Sequence, residues 1–370
     1  MPAIKTLTIK GFKSIQSLEE LKLGQLNLLI GGNGAGKSNF ISFFKLLNEM
    51  VEGRLQMHVG QKGGPDALLR HGRRTTPSLD ARLRFGNNGY SFRLVPTADN
   101  RLIFAEESLF FEGYLSGSST RPLGSGHAES VAPKHLEGGP NQKIAQYVVP
   151  ALKDWRVYHF HDTSDVAGVK RIGALNDNGF LRPDASNLAA FLFRLQQTHR
   201  SHYEKIRDTV RLVMPDFGDF LLRPSPLDPS GNSIWLEWHE RGNDFPFLAH
   251  QLSDGTLRFI CLATLLLQPE LPSTILIDEP ELGLHPFALN ILASLLRGAT
   301  SHPQGRQIIV ATQSVPLIDL FAPEDVIVVD RSGGQSTFTR PSAESLKEWL
   351  DEYSLGQLWM KNVLGGRPSR

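Results

Sequence analysis

The chain has one cysteine, Cys261, in 370 residues. A single thiol excludes a disulfide framework and any zinc site built from several cysteines. Cys261 lies in the apolar run Phe259-Ile260-Cys261-Leu262, where a thiol acts as a small buried hydrophobe. Neither sign of charge is in excess, since 39 Lys and Arg face 38 Asp and Glu. A protein-wide cationic field of the kind that drives non-specific nucleic-acid binding is excluded, so any such contact needs a local patch. Long apolar runs are missing too. The nearest candidate, Phe259 to Leu267, stops at Gln268-Pro269, well short of the roughly 18 residues of a membrane helix. The start, Met1-Pro2-Ala3-Ile4-Lys5, lacks the apolar stretch of a secretory signal. A cytoplasmic protein with no membrane partner is expected. No apolar heptad persists, which excludes a long coiled coil. What is present is 40% hydrophobic and 21% charged residues, enough for a sizeable core.

Apolar spacing outlines the elements. Ile4 to Ile9 alternates and Leu26-Asn27-Leu28-Leu29-Ile30 is a short apolar run, so the first 30 residues predict two strands. The second run stops at the glycine-rich stretch Gly31 to Gly36. Beyond it Phe40, Ile41, Phe43, Phe44, Leu46 and Leu47 mark a mostly buried helix. Leu79 to Phe85 and Tyr90 to Val95 alternate around Gly86-Asn87-Asn88-Gly89, a hairpin signal. Leu102 to Phe111 adds strand. Residues 116–140, rich in Gly, Ser and Pro, predict a mobile loop that leaves His127 and His135 in solvent. Residues 185–214 predict a helical hairpin interrupted near Thr198-His199-Arg200. A helix over Thr256 to Leu267 follows. Then come strands at 274–277, 307–311 and 326–329, with helices at about 286–297 and 315–321. Short apolar strands alternating with helices imply a largely parallel, buried sheet.

Two segments carry chemistry. Gly31-Gly32-Asn33-Gly34-Ala35-Gly36-Lys37-Ser38 fits the phosphate-binding pattern G-x-x-x-x-G-K-[ST], set between a strand and a helix. Glycines let backbone amides wrap phosphate oxygens at a helix N-terminus, whose dipole favours anions. Gly31, Asn33, Gly34, Ala35, Gly36 and the following Asn39 are candidate ATP contacts. Lys37 can reach the β and γ phosphates, and the Ser38 hydroxyl can bind Mg²⁺. The second segment, Ile275-Leu276-Ile277-Asp278-Glu279, is an apolar strand ending in two carboxylates. Asp278 can hold the metal, and Glu279 can orient or deprotonate an attacking water. The pair suits a magnesium-dependent NTPase.

Leu252-Ser253-Asp254-Gly255-Thr256 resembles the LSGGQ signature of ATP-binding-cassette (ABC) ATPases, and Asp278 follows it by 22 residues from Thr256. Glu279-Pro280-Glu281-Leu282-Gly283-Leu284-His285-Pro286 resembles the D-loop region of the non-transporter branch, which includes RecF, SMC and overcoming-lysogenization-defect (OLD) proteins. Gly11-Phe12-Lys13-Ser14 is similar to the N-terminal strand of that branch. The resemblance covers roughly residues 4–330. It implies an α/β P-loop fold of ABC type, with a mixed sheet, an antiparallel β subdomain and an inserted helical segment. It further implies a single ATPase domain over 1–335: lobe I at 1–165, the insert at about 166–225, and the signature and Walker B lobe at 226–335. Residues 336–370 form a C-terminal cap and tail. By the same resemblance, two heads sandwich ATP as a homodimer. Lys37 and Ser38 bind in cis. Ser253 and Gly255, with Asp254 in the same turn, reach the γ-phosphate in trans.

The sequence departs from the family in three places. Gln313, in Thr312-Gln313-Ser314, stands where a histidine is usual; it can hydrogen-bond a γ-phosphate but cannot take a proton. Thr256 replaces the signature glutamine. The Q-loop equivalent falls at His161-Asp162-Thr163-Ser164, where His161 can meet the metal or the attacking water.

Residues 54–93 hold eight Lys or Arg against Asp66 and Asp80, a local basic excess suited to DNA phosphates. The 40 residues after Asp330 are shorter than the Toprim nuclease domain of full OLD nucleases. The expectation is therefore a stand-alone head working in DNA repair or phage defence with a separate nuclease or Toprim-like effector. A transporter nucleotide-binding subunit is an alternative, disfavoured by the Glu281 to Pro286 segment and the insert of about 210 residues between Ser38 and Leu252. A non-catalytic ATP switch is another, favoured by Gln313 and disfavoured by Glu279.

Overall fold

The computed structural model describes residues 3–113, 117–226, 228–301 and 306–366. The chain begins with β1 (Thr6–Phe12), β2 (Ile15–Lys22) and β3 (Leu26–Ile30), followed by α1 (Lys37–Val51) and α2 (Leu55–Gln61). Next come β4 (Leu79–Phe85), β5 (Asn88–Pro96), β6 (Leu102–Gly113), β7 (Gly117–Gly124), α3 (Gln142–Lys153) and β8 (Trp155–Tyr158). The middle contains β9 (Gly173–Ala174), α4 (Leu188–Thr198), α5 (Arg200–Val213), β10 (Phe217–Leu221), β11 (Ser233–Ile234), β12 (Glu237–Glu240) and β13 (Phe247–Leu248). Then follow α6 (Asp254–Leu267), β14 (Thr274–Asp278), α7 (Pro286–Thr300) and β15 (Gln307–Thr312). The last elements are α8 (Val315–Ile318), β16 (Val326–Ser332), β17 (Gln335–Thr339), α9 (Ala343–Leu350) and α10 (Leu355–Met360).

These elements form two compact units. The first holds Met1–Val157, Pro272–Leu276 and His302–Arg370; the second holds Tyr158–Leu271 and Ile277–Ser301.

The first unit is built on two six-stranded sheets. One, in the order β2-β1-β4-β5-β6-β7, is antiparallel throughout. Its β4 buries Leu79, Ala81, Leu83 and Phe85 and turns Arg82 and Arg84 outward, the period-two pattern of a sheet with one covered face. The other runs β17-β16-β3-β15-β14-β8. In it β3 lies parallel to β15 and β16, and β17 closes antiparallel on β16. Every residue of β3 is buried, which explains an unbroken apolar run in place of alternation. Helix α1 packs Phe40, Phe43, Phe44, Leu46 and Leu47 into this core. Its aromatic contacts are Phe12–Phe43 at 5.6 Å, Phe40–Phe338 at 5.3 Å and Phe44–Trp155 at 5.2 Å between centroids. Each such side chain contributes about 1.5–3 kcal/mol by burial.

Three sequence expectations need correction here. The first 30 residues hold three strands. The third, β2, buries Ile15, Leu18 and Leu21 at a spacing of three, which does not read as a strand. Leu7 pairs with Leu21 and Ile9 with Leu18, so β2 carries one extra residue there, a bulge that returns Leu18 and Leu21 to the same face. Residues 117–124 are strand β7, an exposed edge paired with β6. The segment after it is not a free loop. Gly126 donates to the Phe104 carbonyl at 2.7 Å, and the Phe104 amide donates to the His127 carbonyl at 2.9 Å. The Glu129 carboxylate accepts from the Leu55 and Gln56 amides at 2.7 and 3.0 Å, capping α2. His127 is not solvated: its ring stacks on Phe104 at 4.8 Å and Nε2 lies 2.8 Å from Glu107. Glu107, 1% exposed, also accepts from the Tyr90 and Ser130 hydroxyls and the Val131 amide at 2.6, 2.5 and 3.0 Å. Burial and this carboxylate hold the Tyr90 phenol well above its ordinary range. His135 is half-buried in a short 3-10 turn, Ala132–Leu136.

The second unit contains the helical hairpin, with α4 and α5 breaking at His199 (φ −137°, ψ 55°). Its antiparallel sheet β10-β12-β13 stacks Phe217 on Trp238 at 5.9 Å and Trp238 on Phe247 at 4.9 Å. Phe259 and Ala263 of α6 meet Ala288 of α7 in a small core. Cys261 is buried, and burial pushes its thiol up to about 12. Among the described residues no helix is long and apolar enough to cross a membrane. The architecture is mixed α/β with an antiparallel sheet, a mixed sheet and a helical hairpin, as the resemblance implies.

Candidate nucleotide site

In the first unit β3 ends at Ile30, and the glycine-rich segment leads into α1 through Gly36, the N-cap at φ 121° and ψ 8°. Only glycine adopts that backbone readily. A Cβ there would also stand 2.1 Å from Ser336 Oγ, and one on Gly31 would stand 2.2 Å from the Val329 carbonyl oxygen. With no capping side chain and no acid in the first turn, α1 directs its amides and dipole at an incoming anion. Lys37 is 6% exposed. Its Nζ donates to the Gly31 and Gly32 carbonyls at 2.5 and 3.2 Å, arching back over the loop.

The loop is braced by residues far away in sequence. Ser336 Oγ donates to the Ala35 carbonyl at 2.5 Å and lies 2.7 Å from Ser14 Oγ. Asn39 Nδ2 donates to the same Ser14 hydroxyl at 2.8 Å. Arg70 is buried and donates to the Ser14 and Gly334 carbonyls, both at 3.0 Å. The Gly11 to Ser14 turn thus buttresses the loop. Sequence reasoning missed Ser336, for which there was no local signal, and placed Arg70 in a basic patch. A recess of about 420 Å³ opens beside Gly32 to Ala35, bordered by Asp330, Arg331 and Gly366. The Gly366 carbonyl accepts from the Gly32 amide at 2.8 Å. Strand β15 pairs Thr312 with Ile30, so Gln313 stands one step beyond, in register with the start of the loop.

The second unit gathers the signature and the carboxylates. Ser253 caps α6, accepting from the Thr256 amide at 3.1 Å. Asp254 lies 3.8 Å from Lys170, which also lies 3.9 Å from Asp165. Gly255 abuts Gly283, whose carbonyl oxygen would lie 2.1 Å from a Cβ on Gly255. Asp278 ends β14, and its carbonyl is 2.8 Å from His161 Nε2. Glu279 follows at φ 42°, a left-handed conformation that costs a non-glycine residue on the order of 1–3 kcal/mol. The Leu282 amide closes the turn onto the Glu279 carbonyl at 3.3 Å. The Ser164 hydroxyl and amide hold the Asp162 carboxyl below the usual carboxylate range. His161, Asp278 and Glu279 therefore come together here, as do Ser253, Asp254 and Gly255. Among the described residues no group of three or more His, Cys, Asp or Glu is arranged to hold a metal ion.

The basic segment is largely neutralised, by Asp66 and Asp80 within it and by Glu49, Glu106 and Glu112 outside it. Arg54 pairs with Glu49 at 2.7 Å, Arg82 and Arg84 with Glu112 at 2.6 and 3.4 Å, and Arg93 with Asp80 and Glu106 at 2.5 and 2.7 Å. Arg73 pairs with Asp66 at 3.1 Å.

A family model described as "AAA domain, putative AbiEii toxin, Type IV TA system" matches residues 26–320, about four-fifths of the chain. No curated protein matches it by sequence. Among solved structures, the SMC head bound to the C-winged helix domain of ScpA is 15% identical, with 94% of this chain and 100% of that one aligned and a TM-score of 0.59. The Smc head with an extended coiled coil from Pyrococcus furiosus, bound to the C-terminal domain of ScpA, is 14% identical, with 95% and 99% aligned and a TM-score of 0.60. At such identities the likeness is one of fold. With its glycine loop between β3 and α1 and a family match across most of its length, the chain belongs to this AAA-domain family and shares the fold of SMC heads.

Proposed function

We propose that the protein binds and hydrolyses ATP with Mg²⁺ and dimerises around the nucleotide, with residues 1–335 acting as one ATPase domain. The loop before α1 carries this reading: a left-handed glycine N-cap, an uncapped helix terminus and Lys37 arched over the loop. Gly31 and Asn33 to Asn39 cradle the phosphates, and Lys37 offsets the charge that grows on the γ-phosphate. The hard oxygens of Ser38 and Asp278 suit Mg²⁺, whereas the nitrogen of His161 suits it less well. Bound Mg²⁺ supplies charge neutralisation at the phosphates. Glu279 orients the water and takes its proton. Gln313 contacts the γ-phosphate as a hydrogen-bonding sensor. Ser253 and Gly255, with Asp254, come from the second copy.

A separate effector, nuclease-like or Toprim-like, in DNA repair or phage defence completes the proposal; the two SMC heads of this fold are each bound to a domain of a second protein, ScpA. The experiment is the ATPase rate with and without linear, circular and single-stranded DNA across a salt series. Magnesium-dependent turnover is expected. DNA contact through residues 54–93 would show as stimulation that weakens with salt. ATP binding with no turnover under any condition would replace the enzyme with a non-catalytic switch.

A further inference from the structure

We infer that Arg258, in the first turns of α6, is a positioning residue that fixes the Glu279 turn relative to the signature. The inference rests on the ATPase reading of Glu279.

Arg258 lies just past the signature and has no role in the sequence patterns. Its guanidinium ties α6 to two other stretches of the second unit, residues 160–163 and the turn at Leu282. Nε donates to the Phe160 carbonyl at 3.0 Å. Nη2 donates to the His161 carbonyl and to Thr163 Oγ1, each at 3.0 Å. Nη1 donates to the Leu282 carbonyl at 3.1 Å. All four acceptors are neutral. A rigid planar fork with several donors fixes the angles between the stretches it bridges, which a single-point donor cannot do.

Each stretch leads back to the carboxylates or the signature. Leu282 belongs to the turn that its own amide closes on the Glu279 carbonyl at 3.3 Å. Glu279 sits at φ 42°, a strained backbone that persists only where its surroundings hold it. His161 lies 2.8 Å from the Asp278 carbonyl. Gly283, next to Leu282, touches Gly255 of the signature, and a Cβ on Gly283 would stand 2.9 Å from Arg258 Nη1. The space among Phe160, His161, Arg258, Asp278 and Glu279 is only about 10 Å³. Packing this tight carries a shift in one wall to the next. The groups Arg258 bonds are the Phe160, His161 and Leu282 carbonyls and the Thr163 hydroxyl, all within the second unit. Loss of Arg258 should act on turnover and leave nucleotide affinity intact.

The test compares wild type with Arg258→Gln, Arg258→Lys and Thr163→Val. The readouts are kcat and KM for ATP with Mg²⁺, the dissociation constant of a fluorescent ATP analogue, and the thermal midpoint. For Arg258→Gln, kcat should fall about 100-fold, the scale of a 1 Å misplacement at a reacting group, while analogue affinity stays within about twofold. Arg258→Lys should not rescue turnover, because an ammonium cannot serve four acceptors held in the plane of the guanidinium. Thr163→Val, which removes one acceptor, should lower kcat by a smaller factor. Wild-type kcat in Arg258→Lys, or a loss of kcat matched by an equal loss of analogue affinity, overturns the inference. Should Arg258→Gln fail to fold, full turnover in both Arg258→Lys and Thr163→Val has the same force. A wild type that binds ATP and never hydrolyses it removes the ATPase reading, and this inference with it. Wild-type turnover with undiminished Arg258→Lys turnover removes the inference alone.

Discussion

Replacing Gly255 by alanine separates two effects that usually run together. Gly255 lies in the first turn of α6 and has no left-handed backbone, so its conformation suits alanine. By helix propensity alone, alanine would stabilise the chain by about 0.8–1.0 kcal/mol. The obstacle is steric: the new Cβ would stand 2.1 Å from the Gly283 carbonyl oxygen, and ordinary contact begins at 3.4 Å. The turn at 279–284 must therefore retreat by at least 1.3 Å, the difference between those distances. Overpacking of this kind costs about 1–3 kcal/mol. The net effect is a loss of roughly 0–2 kcal/mol. Gly298, exposed in α7 with nothing within 4 Å of its virtual Cβ, is the control. Gly298→Ala should gain the full propensity term, raising the melting midpoint by about 1 °C in a chain of this size. Differential scanning fluorimetry reads the midpoints and a coupled phosphate assay reads turnover. Gly255→Ala should melt at or below wild type and lose about 100-fold in kcat, because the Glu279 turn has moved. A Gly255→Ala protein that melts like Gly298→Ala and keeps wild-type turnover would refute the packing argument.

Two further outcomes test the first unit. Burial lowers the His58 pKa, with Lys62 adding to the effect, so below about pH 6.5 the unfolded chain takes up a proton that the folded one refuses. The stability His58 contributes is present above that pH and is lost as pH falls through the lower folded value. The drop in melting midpoint from pH 7.5 to 5.5 should be smaller in His58→Gln than in wild type; an equal drop rejects the assignment. Glu107→Gln puts an amide nitrogen in place of one carboxylate oxygen, so a donor faces either the Tyr90 and Ser130 hydroxyls or the Val131 amide, a loss of about 1–3 kcal/mol that thermal melting at pH 7.5 should register.

The sequence was legible where one local rule decided the structure. The run Leu26–Ile30 reads as a buried strand because parallel neighbours flank it on both sides. The β4–β5 hairpin reads from alternation around a glycine turn. The glycine segment names its own place between a strand and a helix. What escaped depends on partners distant in the chain. Strand β2 is disguised by its own bulge against β1. Strand β7 is an exposed edge with no apolar period. Glu107, 20 and 24 residues before the His127 and Val131 it holds, and Glu129, 74 residues after the Leu55 amide it binds, turn a glycine-rich stretch into ordered structure. The basic count at 54–93 overstates the local excess because Glu49, Glu106 and Glu112 lie outside that window. Ser336 braces Ser14 from 322 residues away. Arg258 shows its role only through the carbonyls it joins.

The central claim is that Glu279 drives hydrolysis of an ATP held between two copies of the chain. Light scattering of Glu279→Gln during gel filtration, with saturating ATP and Mg²⁺ and again without nucleotide, tests it most directly. The account expects a dimer that forms only with ATP and releases no phosphate over the run. A monomer under both conditions, or a variant that turns over like wild type, would contradict it.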